Sequence, residues 1–538
     1  MSTNQAHRQF SFSPADCYWK YLESAGITLE LDLLSHIATI IENTSWDNPT
    51  SALDFNNVAV VALVEGEQCQ DTFMRRMYFE MALEALNKGV ELHDHPLCAA
   101  HLALCFTISE EIEQSLETAF FTLLNTLHNS YINEQQIPPG LVYLPTRNSC
   151  TNSRDEQLAH ILQTEKGYTQ SLLLLSEVFC DSILAFYSVT GLRYLHLAAQ
   201  LFTKSSSINL KLGISSIGNS QGEGILYLHR ALELAPNSAN IMQALYLAYR
   251  DFGQIEFAKY WLNISRHVSR NNFHYLEYKW TDLEADSPVT YLSFENQLIL
   301  AVEPSFHSAV TRVLIAEGDW FEREMEFWRS LLKPGMTVID VGANVGVYTF
   351  SAAIRVGEEG YVLAVEPFSG CIRCLQETCR INQLNWVKVC AGAASDRNGT
   401  AQLALHSASE INAIVDIDAE GATPHGTVEE VTCFTLDSLV SQENVSQVDL
   451  LKIDAEGHEL QVLEGSKQLI KKFYPVIIYE NKQANRSSNL AVAEFLTARE
   501  YQLFRYQPYL QELIPISYME DLQGRLNIIA CPTRLFKQ

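Results

Sequence analysis

Four acidic residues in the C-terminal part of the chain each stand at the end of a short apolar segment. The segments are 338–339, 361–365, 448–453 and 475–479, and they lead to Asp340, Glu366, Asp454 and Glu480. Short apolar runs separated by helical patterns predict buried parallel strands, and ligands of such sheets bind beyond the carboxyl ends of the strands. The sequence therefore predicts four carboxylates on one ligand-binding face of a doubly wound sheet.

A glycine-containing turn, GANVG, connects the first of these strands to a helix predicted over 348–355. A dinucleotide-binding turn has glycine at its first, third and sixth places, but counting from Gly342 the third and sixth places hold Asn344 and Val347. The lack of a Cβ at Gly342 and Gly346 lets the backbone approach a ligand closely. The turn therefore predicts a nucleoside cofactor other than a dinucleotide, with Gly342, Asn344 and Gly346 in its binding site.

Two of the acidic residues indicate which cofactor this is. A carboxylate at Asp340 would repel a pyrophosphate, but it can face the ammonium and sulfonium charges of S-adenosylmethionine. Glu366 lies 20 residues after Gly346, where an acidic side chain accepts hydrogen bonds from ribose hydroxyls. S-adenosylmethionine is therefore the predicted cofactor, with Asp340 and Glu366 among its ligands.

Three motifs of this region, in order along the chain, resemble a known family. DVGANVGVYT, VEP and LLKIDAEGHELQVLEG resemble the FkbM family of S-adenosylmethionine-dependent methyltransferases, over roughly residues 298–531. The resemblance implies an α/β fold with a doubly wound, seven-stranded, Rossmann-like class I methyltransferase sheet. It also implies O-methylation of a hydroxyl on a sugar, a glycan or a polyketide-like natural product. In this fold the end of the third strand approaches the adenine, which makes Ala393 and Ser395 candidate cofactor contacts.

Methylation of a hydroxyl requires a base within hydrogen-bonding reach of the acceptor. We predict His458 or Asp454 as this base, with Glu480 orienting the acceptor or the cofactor. The alternative for His458 is to cap the following helix or to face solvent, and Lys452 is expected to point away from the pocket or to pair with an acid. Asp454 and Glu480 leave open a divalent metal that lowers the pKa of the acceptor. Because the sequence shows no clear third ligand, no metal site is predicted.

A long helical region precedes the predicted sheet domain. Residues 74–270 have helical periodicity and few strand signals, and one helix pair within them has the offsets of a tetratricopeptide repeat. The matching positions are Leu228, Ala231, Pro236, Leu245, Tyr249, Gly253, Ala258 and Leu262. The alternative is an ordinary helical bundle, because a lone repeat cannot bury its own apolar face. We expect this all-α, tetratricopeptide-like domain to bind a protein partner, a second copy of the chain or the acceptor.

The pattern divides the chain into four segments. Residues 1–73 are mixed and partly helical, 74–270 form the helical repeat-like domain, 271–332 are a lead-in with two short strands and a helix over 318–331, and 333–538 form the methyltransferase domain. Within the last segment, residues 407–427 lack periodicity and are predicted to be a loop.

The composition disfavours several classes of protein. The formal net charge of −27 argues against nucleic acid or an anionic membrane as the main partner, because such contacts depend on basic patches. No apolar run is long enough to span a membrane, and the first residues lack the order of a signal peptide, so a cytoplasmic protein without a membrane span is predicted.

The twelve cysteines are interpreted as reduced core residues. Cys371, Cys374 and Cys379 lack the further ligands of a zinc site.

Two other functions fit parts of the sequence. In the first, the helices belong to a non-catalytic interaction protein whose methyltransferase-like domain only senses the cofactor. The four strand-end acids argue against this, since a domain without chemistry has no need to keep them on one face. The second is a dehydrogenase on the same scaffold, which Asn344 and Val347 in the glycine turn disfavour.

Overall fold

A computed structural model describes residues 13–27, 31–132, 137–145, 153–180, 189–270, 276–406, 409–415, 427–481 and 489–536. By its internal contacts the chain divides into two compact units. Unit 1 is Met1–Leu212 with Tyr509–Gln511, and unit 2 is Gly213–Pro508 with Glu512–Gln538. The division at Leu212 lies inside the helical domain predicted over 74–270, and the predicted domain boundaries stay a prediction.

Unit 1 is largely helical in its described part, which agrees with the helices predicted from residue 74 onward, whereas residues 1–73 were predicted to be only partly helical. Apolar positions at helical spacing define its helices, and polar caps fix some of their ends: the Ser51 hydroxyl accepts a hydrogen bond from the Asp54 amide at 3.1 Å, as in a capping box. The helices are α1 Pro14–Ser24, α2 Leu31–Asn43, α3 Ala52–Gln68, α4 Thr72–Leu92, α5 Leu97–Ile108, α6 Ile112–Ile132, α7 Ser153–Leu162, α8 Gly167–Cys180 and α9 Val189–Leu201.

An extended segment, residues 140–144, is buried in unit 1. Buried peptide groups need hydrogen-bond partners, and here side chains of the surrounding helices provide them. The pairs are Gln170 with Gly140, Asn56 and Asn57 with Leu141, Tyr18 with Val142, His101 with Tyr143, and Tyr21 with Leu144. These contacts explain how an irregular segment is tolerated in the core, which the sequence pattern did not predict.

The helix pair predicted from the repeat pattern is present in unit 2. Helix α10, Ser206–Gly218, contains the division between the units and is followed by α11 Gly224–Leu234, α12 Ala239–Asp251 and α13 Ile255–Ser269. Gly253 has a φ of +68° in the turn between α12 and α13, where a residue with a Cβ would be strained. The apolar side chains of the pattern are buried, namely Leu228, Ala231, Leu245, Ala258 and Leu262. Their assignment to a tetratricopeptide repeat stays a prediction.

The lead-in segment joins these helices to the sheet. Its two predicted strands are confirmed as a hairpin of β1 Thr290–Phe294 and β2 Leu298–Val302, and the Gln243 amide of α12 donates to Thr290 Oγ1 at 2.9 Å. The helix predicted over 318–331 is wrong at its start. Gly318, with a φ of +72°, instead ends helix α14, Ala309–Glu317, and α15 covers only Glu324–Leu331.

The main sheet of unit 2 contains eight strands in the order β13-β12-β14-β11-β10-β3-β4-β5. Strands β11, β10, β3, β4 and β5 are parallel, and β14, β12 and β13 are antiparallel to their neighbours. The strands are β3 Thr337–Val341, β4 Tyr361–Glu366, β5 Val387–Ala391, β10 Leu450–Ile453, β11 Val476–Glu480, β12 Tyr501–Gln507, β13 Glu512–Pro515 and β14 Asn527–Pro532. Seven strands were predicted. The additional strand, β13, returns along the open edge of β12, where unpaired backbone groups accept a neighbour.

Helices lie between successive strands in this part of unit 2, and those between parallel strands of the main sheet form the expected crossover connections. They are α16 Val347–Val356, α17 Ser369–Asn382, α18 Leu436–Gln442, α19 Glu459–Glu464, α20 Lys467–Phe473 and α21 Leu490–Thr497. The apolar strand residues Ile339, Leu363, Leu451 and Ile477 are fully buried in one core cluster. The strands are therefore held rigidly, which fixes where their carboxyl ends lie.

Unit 2 contains a second, smaller sheet, whose strands come between β5 and β10 along the chain. This sheet was not predicted. Its order is β6-β9-β7-β8, with β6 Ala393–Ala394, β7 Gly399–Ala404, β8 Ala413–Val415 and β9 Val428–Phe434. The predicted loop 407–427 is wrong in its described part, where a 3-10 turn, Ser409–Ile411, precedes β8. Backbone pairing with β7 supplies the order that the sequence pattern lacks. Residues 407–408 and 416–426 of that prediction lie outside the described residues.

Two predictions about the whole chain can be compared with the described residues. Among these, no helix is both long and apolar enough to cross a membrane. Cys371 and Cys374 are buried thiols and Cys379 is partly exposed, all three unpaired by disulfides. Burial raises the pKa of Cys374 to about 12, which keeps it a neutral core residue.

Candidate functional site

The strand-end acids meet at the carboxyl edge of the parallel strands, but not all at one level. Ile453 is in register with Tyr479 and with Val341, and Val341 with Val365. One residue further on, Asp454, Glu480 and Glu366 therefore share a level with Gly342. Asp340 lies two positions deeper, beside Lys452, so the prediction of four acids in one row holds for three of them.

Asp340 is a buried residue of the strand interior. It is only 2% exposed, and its Oδ2 accepts a hydrogen bond of 2.6 Å from the Thr349 hydroxyl. Burial raises the pKa of Asp340 to about 6, with the bond from Thr349 and the charge of Lys452 acting in the opposite direction. Asp340 thus lies beneath the edge of the sheet, and it supports the turn above it through helix α16.

The glycine turn is shaped by the protein's own packing. Gly342 has a φ of +74°, and a Cβ there would lie 1.7 Å from the carbonyl oxygen of Asp454. Gly346 has a φ of +100°, and a Cβ there would lie 2.3 Å from the Phe350 ring. Both Cβ positions thus face the chain itself. Glycine at 342 allows β3 and β10 to approach each other, and glycine at 346 leaves space for the Phe350 ring. The role of both glycines in binding a cofactor stays a prediction.

Glu366, at the end of the neighbouring strand β4, is hydrogen-bonded to the glycine turn. Its two carboxylate oxygens accept hydrogen bonds from the backbone amides of Asn344 at 2.8 Å and Phe368 at 2.9 Å. Burial raises the pKa of Glu366 to about 7, although both of these bonds favour the ionised form. The fold thus brings together Asn344 and Glu366, both predicted as cofactor contacts, and their binding of a cofactor stays a prediction.

The lead-in segment reaches the same turn through Ser409. The Asn344 side chain donates to Ser409 Oγ at 3.4 Å, and the Ser409 hydroxyl donates to Glu303. Next to Ser409, Glu410 accepts bonds from the Ser308 hydroxyl at 2.8 Å and the Val310 amide at 2.9 Å. The 3-10 turn Ser409–Ile411 is therefore fastened beside Asn344, a neighbour that the prediction of a loop did not anticipate.

A buried lysine carries the positive charge of the site. Lys452 is 1% exposed, its Nζ lies 2.8 Å from Asp454 Oδ2 and 4.9 Å from the centre of the Tyr348 ring. Burial lowers the pKa of Lys452, but the charges of Asp454, Glu322 and Asp340 outweigh burial and leave the pKa raised. The expectation that Lys452 pairs with an acid is confirmed.

Glu322 is a member of this cluster that sequence reasoning missed. It precedes helix α15 in the lead-in, and its Oε2 accepts bonds from the Tyr348 hydroxyl at 2.7 Å and the Asn527 amide at 2.9 Å. Burial raises the pKa of Glu322, and Lys452 lowers it. No motif signals this role, because Glu322 reaches the sheet only through the packing of the lead-in.

The turn after β10 is stabilised by hydrogen bonds to a side chain that follows it, Glu459. Glu459, fully buried at the start of α19, accepts bonds at Oε1 from the amides of Ala455 at 3.1 Å and Gly457 at 2.9 Å. Its Oε2 accepts a bond of 3.0 Å from the Asn489 side chain. Glu459 was not predicted as a site residue, yet it fixes the loop that carries Glu456 and His458.

His458 and Ser395 are brought together. His458 Nε2 lies 3.0 Å from Ser395 Oγ, and the Ser395 hydroxyl also lies 3.2 Å from Asp396 Oδ1. His458 is the N-cap residue of α19, but its side chain makes no capping bond there. The capping role considered for His458 is therefore not observed.

Ala393 is 5% exposed and packs with Leu403, Val431 and Cys433 in the core of the smaller sheet, apart from the acids.

Glu480 occupies the far end of the row. It is 8% exposed, and no described residue donates a hydrogen bond to its Oε2. Burial raises the pKa of Glu480 to about 10, and the charges of Asp454, Glu456 and Glu459 add to the effect. One oxygen each of Asp454, Glu456 and Glu480 lie within 4.8 Å of one another. Glu456 thus provides the third carboxylate that the sequence analysis did not find.

Residues 340–503, which contain most of these side chains, match the family model described as a methyltransferase FkbM domain. No curated protein sequence matches the chain.

Similar solved structures include methyltransferase FkbM from Methylobacillus flagellatus KT, at 15% identity over 41% of this chain and 53% of that chain with a TM-score of 0.25. A SAM dependent methyltransferase from Aquifex aeolicus has 16% identity over 39% of this chain and 87% of that chain, with a TM-score of 0.23. TYW2 of M. jannaschii, in complex with AdoMet, has 14% identity over 46% of this chain and 86% of that chain, with a TM-score of 0.24. The chain spans about half the length of the Methylobacillus protein.

Proposed function

Because residues 340–503 form an FkbM methyltransferase domain, we propose that the chain is an S-adenosylmethionine-dependent O-methyltransferase. Its acceptor is a hydroxyl of a sugar, a glycan or a related natural product. The observation that carries the cofactor assignment is Glu366, a buried carboxylate that bonds to the Asn344 amide at the end of β4. The sheet is proposed to act as a doubly wound, Rossmann-like scaffold, with β13 added to seven core strands.

The residues at this edge fit S-adenosylmethionine by their chemistry. Each oxygen of Glu366 accepts one backbone bond and keeps a further lone pair, which a ribose hydroxyl can use. Asp454 places a second carboxylate at the same level of the sheet, and negative charge there favours a cationic ligand. In the proposal, Gly342, Asn344 and Gly346 form the floor of the cofactor site, and Ser395 contributes through its contact with His458.

The reaction transfers a methyl group to an acceptor oxygen. Bound S-adenosylmethionine supplies the electrophilic methyl group, and S-adenosylhomocysteine is the product that remains. In this transfer His458 would take the proton of the acceptor hydroxyl. The Ser395 hydroxyl donates to Asp396 and contacts His458 Nε2 at 3.0 Å, which orients the imidazole ring.

The two strand-end acids Asp454 and Glu480 have different roles in this proposal. Asp454 is held by Lys452 at 2.8 Å and accepts from the acceptor hydroxyl, which positions the oxygen for an in-line attack. Glu480, whose pKa of about 10 favours the protonated carboxyl, orients the acceptor as a hydrogen-bond donor. Asp454 is the alternative base.

The test of the cofactor assignment is calorimetric titration of the full chain with S-adenosylhomocysteine. We expect binding by the unmodified protein, and about 10- to 100-fold weaker binding by Glu366→Gln, since a hydrogen bond to a charged group contributes about 1.5–3 kcal/mol. Glu359→Gln removes an exposed acid of the same strand–helix unit and should bind as the unmodified protein does. Equal affinities of Glu366→Gln and the unmodified protein would overturn the assignment, and NAD binding would favour the dehydrogenase.

The pH dependence of the same titration reports the ionisation of Glu366. Its pKa of about 7 means that raising the pH from 6 to 8 converts most of the carboxyl into the carboxylate that accepts ribose bonds. The affinity for S-adenosylhomocysteine should therefore rise by roughly tenfold over this interval and change little in Glu366→Gln. Asp340 and Glu303 also face Glu366, so a rise that persists in Glu366→Gln would assign the titration to them.

The helices have a separate place in the proposal. Binding of a protein partner or of a second copy of the chain by the helical region stays a prediction of the sequence, as does a cytoplasmic location. Turnover separates the enzyme from an interaction protein that only senses the cofactor: a protein that binds S-adenosylhomocysteine but methylates no hydroxyl acceptor would favour the second.

A further inference from the structure

We infer that Asp454, Glu456 and Glu480 form a binding site for one divalent cation of the Mg²⁺, Mn²⁺ or Ca²⁺ class. One oxygen of each carboxylate lies within 4.8 Å of the other two, so the three can reach a common ion. Oxygen ligands from carboxylates are those that hard divalent cations prefer. Binding of the ion stands on these residues alone, and only its catalytic role rests on the proposed function.

One oxygen of Glu480 lacks a described hydrogen-bond donor, which adds to the proximity of the three carboxylates. Glu480 is 8% exposed, and among the described residues none donates to its Oε2. A buried polar atom without a hydrogen-bond partner is unfavourable, and more so when the group is charged. A cation held jointly with Asp454 and Glu456 would remove this cost.

Asn527, on the neighbouring strand β14, also has a buried acceptor oxygen without a described donor. It pairs directly with Glu480 across β11 and β14, so the two side chains lie on the same face of the sheet. Its amide nitrogen donates to Glu322 at 2.9 Å, whereas no described residue donates to its buried Oδ1. Two adjacent acceptor oxygens without described donors indicate that this edge is built for a positively charged or donor-rich ligand.

The charges around the cluster favour a cation over a neutral donor. Lys452 contacts Asp454, but the charges of Glu322 and Asp340 also act on it. Glu459 is excluded as a fourth ligand, because its oxygens hold the turn and Asn489. Beside Asp454 and Glu456, a divalent ion would displace the proton that the raised pKa of Glu480 retains at neutral pH.

An ion at this position would act on the acceptor of the proposed reaction. His458 follows Glu456 by two residues in the turn after β10, so the ion and the proposed base lie on one loop. A hydroxyl bound to a divalent cation has a lowered pKa. The ion would thereby ease the transfer of the hydroxyl proton to His458.

The test is direct binding of Mn²⁺ to the full chain, measured by electron paramagnetic resonance after treatment with a chelator, with Mg²⁺ as competitor. We expect one site, weakened by about 10- to 100-fold in Glu480→Gln and in Glu456→Gln. Glu464→Gln is the control, since Glu464 lies on α19 and pairs with Lys467 at the surface. It removes the same charge and should leave the Mn²⁺ affinity unchanged.

The outcomes separate this site from the proposed function. Failure to bind Mn²⁺, or equal weakening in Glu464→Gln, overturns the metal site, and S-adenosylhomocysteine titration of the same sample shows whether the methyltransferase proposal survives. Mn²⁺ binding without S-adenosylhomocysteine binding keeps the metal site and overturns the proposed function. Melting curves of Glu456→Gln, whose side chain is exposed, confirm that any loss of Mn²⁺ is not a loss of fold.

Discussion

Replacement of Gly342 by alanine is expected to destabilise the sheet at its functional edge by about 3 kcal/mol or more. The added Cβ would lie 1.7 Å from the carbonyl oxygen of Asp454, and both atoms belong to backbone in the core, so neither can move without separating β3 from β10. The φ of +74° adds the strain of a left-handed residue with a side chain. Hydrogen exchange of the β3 and β10 amides measures the loss locally, as faster exchange through opening of these strands.

Gly335 provides the matched control for this substitution. Its φ is +83°, but the nearest atom to a Cβ there is the Glu359 carbonyl oxygen at 4.0 Å. Gly335→Ala therefore adds the backbone strain, of order 1 kcal/mol, without the collision. If the two variants showed equal exchange rates in β3 and β10, the close approach of Gly342 to Asp454 would not be what requires glycine.

The same close approach shows what the sequence could and could not predict. The glycines, the apolar strands and the strand-end acids are local features, and Gly342, Glu366 and Asp454 indeed meet at one edge. The partner of the Gly342 Cβ position, however, lies 112 residues away in sequence, in a register that only the folded sheet defines. The prediction attributed the need for glycine at 342 to a ligand, whereas the fold places the backbone after β10 at its Cβ position.

The residues that the prediction missed lack a local pattern. Glu322 enters the cluster because the lead-in packs on α16, where Tyr348 donates to it. Glu456 joins Asp454 and Glu480 because it adopts a φ of +48° in the turn after β10, which a non-glycine residue rarely does. Neither contact follows from composition or periodicity. The smaller sheet as a whole was not predicted for a related reason, since β7 and β8 gain their order by backbone pairing with their neighbours.

Substitution of Lys452 by methionine should lower the free energy of unfolding more than the same substitution of the exposed Lys467. The ammonium group is 1% exposed and contacts Asp454 at 2.8 Å, and the charges of Glu322 and Asp340 also act on it. Methionine fills much of the space but leaves these acids without their cation. Breaking a buried ion pair on one side typically costs about 3–5 kcal/mol, so we expect a loss of this size at pH 7. Lys467→Met, which removes an exposed ion pair with Glu464, should change stability by less than about 1 kcal/mol.

The pH dependence of that loss identifies its cause. Burial already raises the pKa of Asp340 to about 6, and without Lys452 the pKa values of the neighbouring acids rise further. An acid whose pKa is higher in the folded state stabilises that state when protonated, and this stabilisation is lost as the pH rises through the folded pKa. The deficit of Lys452→Met relative to the unmodified protein should therefore shrink as the pH falls from 7 to 5, in thermal or urea unfolding of unit 2. A deficit that stays constant over this interval would instead attribute the role of Lys452 to its packing against Tyr348.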